Sequence, residues 1–398
     1  MKNKTKSSQF EFVALMAALM SVVALAIDAL LPALDIIGIA IGTENTVDNQ
    51  LLITMMFLGL GIGPLFFGPI SDATGRKPVV YAGFGLFLAA SLICVSAQSL
   101  TMMIIGRVLQ GIGLSAPRTI AIAIIRDLFS GDYMARIMSF VTVVFILVPV
   151  IAPALGQLVL DTYNWQGIFY IQVIISLIVM IWFWKSQPET LAIDKRVRFS
   201  SKVFKTGFKE VIRYKTTMGY TVISGFVVGS FFAYLSASQQ IFQLQYGLTD
   251  AFPIIFAGLS IAIGSAIFLN GTLVLKFGME KIITTSLLCF FCISLLYVIL
   301  FNSGSNPPLV LLLIFFALQF FAIGFLFGNL RALAMQPVGH IAGIAAAITG
   351  FISTLMAVPL SIIIGRFIST SVLPVFIGFL ICSACSVGVL IYVKRSNL

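Results

Sequence analysis

Three charged residues stand inside long apolar runs of this chain: Asp28, Arg107 and Arg118. A carboxyl group in such a place can bind and release a proton, and a guanidinium can hold an anion or tune a neighbouring acid. Their depths can be compared. Asp28 lies sixteen residues beyond Phe12, about 24 Å along a helix rising 1.5 Å per residue. Arg107 lies five residues into a run directed the opposite way, about 22 Å from the same surface of a ~30 Å layer. The expectation is that Asp28 and Arg107 face each other across a cavity. They are then either a proton-coupling pair or a static pair that fixes helix packing. Arg118 follows Arg107 by eleven residues, almost on the same helical face. It either neutralises an acidic or zwitterionic substrate or snorkels to the nearer surface. Two arginines against one acid argue against dicationic substrates. Asp35 is read as a solvated end residue.

These residues need elements that cross a membrane. Of the 398 residues, 60% are hydrophobic and only 10% charged, with mean hydropathy +1.09. Soluble domains carry about 25% charged residues, so the solvent here is lipid. Apolar runs of spanning length fall at 12–34, 50–70, 79–97, 102–124, 137–160 and 167–184. A second set falls at 218–240, 252–274, 282–301, 308–330, 341–364 and 372–393. The fold expected is an all-α membrane protein of twelve transmembrane helices in two pseudo-symmetric six-helix bundles. Residues 1–184 form the first bundle, 185–217 a cytoplasmic linker, and 218–398 the second bundle. All but three of the 24 Lys and Arg fall on one side of such a layout. Lys2, Lys4 and Lys6 and nine residues of the linker are among them; Arg366 alone falls on the other side. Positive loops mark the cytoplasmic face, so both termini are expected there. The net charge of +10 is thus topological and does not point to nucleic acid. The N-terminal run is too long for a signal peptide.

A loop after the second run reads Gly68-x-x-x-Asp72-x-x-Gly75-Arg76-Lys77. Its counterpart, Gly271 to Lys281, keeps the glycine spacing of seven but has Leu275 where an acid would stand. Pro153 and Pro359 repeat at a similar offset, as two halves of common origin would require. Five cysteines lie within apolar runs without His or carboxylate company, so no metal site is expected. A lone histidine, His340, is read as structural.

These motifs resemble the major facilitator superfamily over nearly the whole chain. The loop is similar to its G-x-x-x-D-x-x-G-R-[RK] motif. Arg107-x-x-Gln110-Gly111-x-Gly113 is similar to its fourth-helix motif. Pro149, Pro153 and Gly156 resemble the proline-glycine motif of proton-driven antiporters, although Gln157 replaces a second glycine. Asp28-x-x-Leu31-Pro32 resembles a drug-exporter signature. Arg126-Asp127, Trp165-x-x-x-Phe169 and Pro337-x-Gly339-His340 look like the Bcr/CflA branch of multidrug efflux transporters. The resemblance implies alternating access driven by the proton gradient, with no cofactor. It also implies a small-molecule substrate, a monomer, and residence in the bacterial inner membrane. The function expected is proton-coupled export of small amphipathic drugs or metabolites. The alternative is a proton-coupled transporter of a specific sugar, peptide or siderophore, for export or uptake. Clustered catalytic residues and a nucleotide-binding motif are both missing, so neither an enzyme nor an ATP-driven pump is expected.

The resemblance also implies a charge cluster of Asp72, Arg76 and Asp127, latching the cytoplasmic mouth when the cavity opens outward. Gly68 and Gly75 would permit its tight turns, or the loop could serve topology alone. Pro149, Pro153 and Gly156 would act as a hinge or a packing seam. The cavity is expected to be lined by Asp28, Arg107, Gln110, Arg118, Phe231, Tyr234, Gln239, Gln319, Phe320 and Phe325. An apolar wall with few polar groups suits varied small ligands, although most of the 36 Phe must serve packing or face lipid.

Overall fold

Backbone polar groups cannot be left unpaired in hydrocarbon, so a lipid-soluble chain of this composition closes its hydrogen bonds within helices. The computed structural model describes residues 9–197 and 201–396, and every regular element among them is helical. The tail bearing Lys2, Lys4 and Lys6 lies outside the described residues.

Spans 1 to 6 are Gln9–Ala40, Thr46–Thr74, Arg76–Val95, Leu100–Leu128, Arg136–Thr162 and Trp165–Ser186. Spans 7 to 9 are Lys215–Gln245, Phe252–Phe277 and Met279–Leu300. The next apolar stretch, Leu309–Gly365, has 57 residues, roughly 85 Å of helix, nearly three times a ~30 Å hydrocarbon layer. It breaks at Val338, whose backbone is non-helical. It is therefore two crossings, span 10 (Leu309–Met335) and span 11 (Ala342–Gly365). Span 12 is Leu373–Arg395. An even number of crossings returns the chain to the end it left. That basic end carries the interspan linker and most of the cationic loops.

The packing repeats with a period of six. Span 4 packs on spans 1, 2 and 3, and span 10 on spans 7, 8 and 9. Span 1 meets spans 5 and 6 as span 7 meets spans 11 and 12. Contact between the two sets runs through spans 5 and 8 and through spans 2 and 11. Close approach is set by small residues: a Cβ on Gly59 would strike the Val108 carbonyl, and one on Gly111 the Met56 carbonyl. Large apolar side chains such as Ile254 and Phe268 point outward, as lipid solvation allows.

One element was not anticipated. The linker contains an amphipathic helix, Ser201–Arg213. Its Val211 is buried against Val338, Ala345 and Ile348 at the start of span 11. Its Glu210 contacts His340 at 2.5 Å, which gives the lone histidine a structural partner.

Candidate functional site

The site begins with a broken helix. Pro32 has no N–H, so the α-helix of span 1 stops at Asp28 and gives way to a short 3-10 turn, Leu31–Ala33. The Leu30 N–H turns to the Ile27 carbonyl at 3.3 Å, which leaves the Ala26 carbonyl without its helical donor. Arg107 supplies one. Its two terminal nitrogens donate to the Ala26 carbonyl at 3.1 and 3.2 Å, and its Nε donates to the Leu52 carbonyl at 2.7 Å. The guanidinium is fully buried, at 0% exposure. It sits at a helix C-terminus, whose partial negative charge favours a cation.

The expected Asp28–Arg107 ion pair is thus corrected. The two residues do share a depth, since Arg107 grips the carbonyl two residues before Asp28. The carboxylate, however, is not among the guanidinium's partners; the freed backbone competes for the same donors and wins. Asp28 is 4% exposed. Among the described residues its carboxyl makes no hydrogen bond or ion pair, and it lies within electrostatic reach of Tyr234 on span 7. The Tyr234 hydroxyl is itself buried without a partner.

Tyr234 belongs to an aromatic cluster in the second half. Its ring lies 4.4 Å from Phe320 and 5.0 Å from Phe316, centroid to centroid. Phe231 meets Phe320 at 6.0 Å and Phe327 at 5.7 Å. Three of the expected lining residues, Phe231, Tyr234 and Phe320, therefore come together opposite Asp28. Phe316 and Phe327 were missed, because one aromatic among many carries no signal of its facing.

Four other expected lining residues are placed elsewhere. Gln110 accepts from Arg107 at 2.8 Å and donates to the Ser91 hydroxyl at 2.8 Å. Gln319 donates to the Ser294 hydroxyl. Both amides are fully buried between adjacent spans, and Ser91 and Ser294 are equivalent positions of the two halves. They join spans 3 to 4 and 9 to 10. Phe325 packs with Ala266 and Ile282, on the side facing spans 8 and 9. Gln239 donates to Asp35 at 3.0 Å. Asp35 also accepts from Asn49 at 3.1 Å, so it is a bridge between the halves and not a solvated end. Nearby, Gln50 donates to Gln240 at 2.7 Å, and Phe57 stacks on Phe232 at 3.7 Å. These contacts join the two halves at the end opposite the linker.

Gly156 lies against the break in span 1: a Cβ there would collide with the Ala29 carbonyl. The helix carrying it runs unbroken through Pro149 and Pro153. The seam is thus present and a break at the prolines is not.

At the basic end Arg76 ties three spans together. It donates to Asp72 at 2.5 Å, to the Ser71 hydroxyl at 2.7 Å, and to both oxygens of Asp127 at 2.9 and 3.2 Å. The cluster lies wholly within the first half and exists while the two halves are joined at the opposite end. It is therefore not confined to an outward-open state, as had been expected. Gly75 has φ +108° and begins span 3, a conformation other residues rarely adopt. Gly68 lies inside a helix with open space beside it, so no tight turn requires it.

Glu189 completes this end and was missed. Its carboxylate accepts from the backbone N–H of Arg76 at 2.9 Å and of Lys77 at 3.0 Å. Burial pushes this carboxyl up, but the N–H groups of Arg76, Leu191, Lys77 and Thr190 outweigh it and hold it below the usual range. Thr190 donates to Asp127 at 2.9 Å, and the Val197 N–H to the Asp72 carbonyl at 3.0 Å. An acid immediately after span 6, at the start of a predominantly basic linker, was the available signal.

Comparison with known proteins gives the family and the fold. The sequence pattern of the Major Facilitator Superfamily matches residues 14–361. An uncharacterized MFS-type transporter of Bacillus subtilis, YdgK, is 31% identical over 322 residues, 79% of each chain. A bicyclomycin resistance protein homolog of Haemophilus influenzae is 29% identical over 239 residues, 60% of each chain. In fold, the chain is similar to the partially occluded inward-open xylose transporter XylE of Escherichia coli, with TM-score 0.76, 12% identity and 98% coverage of both chains.

Proposed function

The chain belongs to the major facilitator superfamily, and from that premise we propose that it exports small amphipathic compounds in exchange for protons. The observation that carries the reading is Asp28: a carboxyl without an ion-pair partner, at a break in span 1, facing the aromatic wall of the opposite half. An isolated carboxylate in a closed apolar site is costly. Proton uptake removes that cost and lets the site close. Release requires that the site open to water. A carrier whose two halves rock about the site couples the two events to passage of a cargo. The proton gradient is then the only drive needed.

The aromatic cluster of Phe231, Tyr234, Phe316, Phe320 and Phe327 offers the apolar surface such compounds need. A relative named for bicyclomycin resistance supports a drug-like cargo. The basic end is the cytoplasmic one, the membrane is the bacterial inner membrane, and the working unit is the monomer. The decisive experiment uses proteoliposomes loaded with a panel of small amphipathic compounds, bicyclomycin and 1-naphthoate among them, under an imposed pH gradient. Asp28→Asn should abolish uphill movement while leaving gradient-independent counterflow. Uphill transport surviving intact in Asp28→Asn would remove Asp28 from the coupling.

A further inference from the structure

Arg118 on span 4 and Arg331 on span 10 are left unexplained by the reading so far. The sequence places Arg331 in a loop at the basic end, but it lies inside the helix Leu309–Met335. The two spans occupy equivalent places in the two halves and are not packed face to face. Yet Arg331 is within electrostatic reach of Arg118 and of Arg126, both across the divide. Arg331 therefore points between the halves and not toward lipid. Arg118 is half-buried and Arg331 exposed.

Among the described residues the ion pairs are Arg76 with Asp72 and Asp127, and His340 with Glu210. Arg118 and Arg331 belong to none of them, and neither donates a hydrogen bond. Two guanidinium groups held near each other with no acid repel, and an anion entering between them relieves that repulsion. Each can grip a carboxylate with two parallel N–H donors. Phe327 stands one helical turn from Arg331 on the same face. It is half-buried and adjoins Phe231 at 5.7 Å. A charged head at the arginines would therefore bring an apolar body onto the aromatic cluster.

We propose that Arg118 and Arg331 form an anion clamp at the basic mouth of the cavity, and that the cargo class is organic acids with one carboxylate on an aromatic body. The proposal rests on the transport reading and narrows its substrate. It also assigns the two halves a shared task, because neither arginine alone surrounds the anion.

The test is equilibrium binding of radiolabelled 1-naphthoate and of its neutral analogue 1-naphthamide to the purified full-length protein in nanodiscs. The wild type should prefer the acid by about tenfold or more, the size expected of a charge-assisted pair. Arg118→Gln and Arg331→Gln should each erase most of that preference, and an unchanged melting temperature and gel-filtration profile shows that the variants are folded. Arg331→Lys, which keeps the charge, should keep most of the preference. Equal affinity for acid and amide in the wild type overturns the clamp. So does a preference that survives in the double Gln variant. Proton-driven transport is assayed separately. Its absence in a wild type that still prefers the acid would count against the transport reading and leave the clamp standing.

Discussion

Like Arg76, Arg107 donates four side-chain hydrogen bonds. Its four bonds reach Leu52, Ala26 and Gln110 from a site with no solvent exposure. Removing it leaves the Ala26 carbonyl in the membrane interior without a donor, at about 1–3 kcal/mol, and takes one partner from Leu52 and one from Gln110. Arg107→Ala should therefore lower the melting temperature in detergent by several degrees and reduce folded yield. Arg107→Lys should recover only part of the loss, because one ammonium cannot reproduce the fork that spans Ala26 and Leu52. A direct Asp28 pairing would behave otherwise: the loss would vanish in an Asp28→Asn background. The structure predicts that the two substitutions add, since the side chains share no hydrogen bond.

At the scale of elements, the linker segment after span 6 lies across the ends of spans 2, 3 and 4. Glu189 is its anchor, set at the N-terminus of span 3 where a negative charge is favoured. Its carboxyl is held below the usual range in the folded protein. Its contribution to stability is therefore fully present above the unfolded value of about 4.3 and is lost as the pH falls through the lower folded value. Glu189→Gln should melt a few degrees below wild type at pH 7. That gap should narrow as the pH is taken below the unfolded value. A gap independent of pH would mean that the carboxylate's charge does nothing there. Elements of this kind were only partly legible in the sequence. Long apolar runs and the sidedness of Lys and Arg mark the spans, because lipid imposes one solution on every crossing. The loop motif marks Asp72 and Arg76, because local spacing fixes their meeting; Asp127, 51 residues from Arg76, comes only from the separate Arg126-Asp127 pair. Depth arithmetic brings Arg107 level with Asp28 but gives no azimuth, and the freed Ala26 carbonyl is a consequence of Pro32 visible only in three dimensions. Gln110 and Gln319 look like lining residues until their Ser91 and Ser294 partners, on neighbouring spans, are seen. The Arg76 and Lys77 partners of Glu189 lie more than a hundred residues away, beyond any local pattern.

At the scale of the whole molecule, the seal opposite the linker is built from pairs that join the two halves: Gln50 with Gln240, Gln239 with Asp35, Thr54 beside Ser361, and Phe57 stacked on Phe232. The Asp72–Arg76–Asp127 cluster, in contrast, lies within one half and can persist while the halves move. The seal is therefore the feature that must break for the cavity to reach the far side. Amide and hydroxyl pairs suit that task, since water can replace each bond at a net cost of only about 1 kcal/mol, whereas a dry aliphatic seam would resist opening. Gln50→Cys combined with Gln240→Cys, in a chain whose own five cysteines have been replaced by serine or alanine, places one thiol on each half at the seal. A short bifunctional thiol reagent should then stop transport in proteoliposomes, and a cleavable version should restore it on reduction. Binding of ligand from the basic end should survive the cross-link, because Arg118, Arg331 and the aromatic cluster lie below it. Transport that continues at its normal rate with the thiols joined would mean that cargo passes without the two halves separating at this end, and rocking of the halves about Asp28 would have to be abandoned.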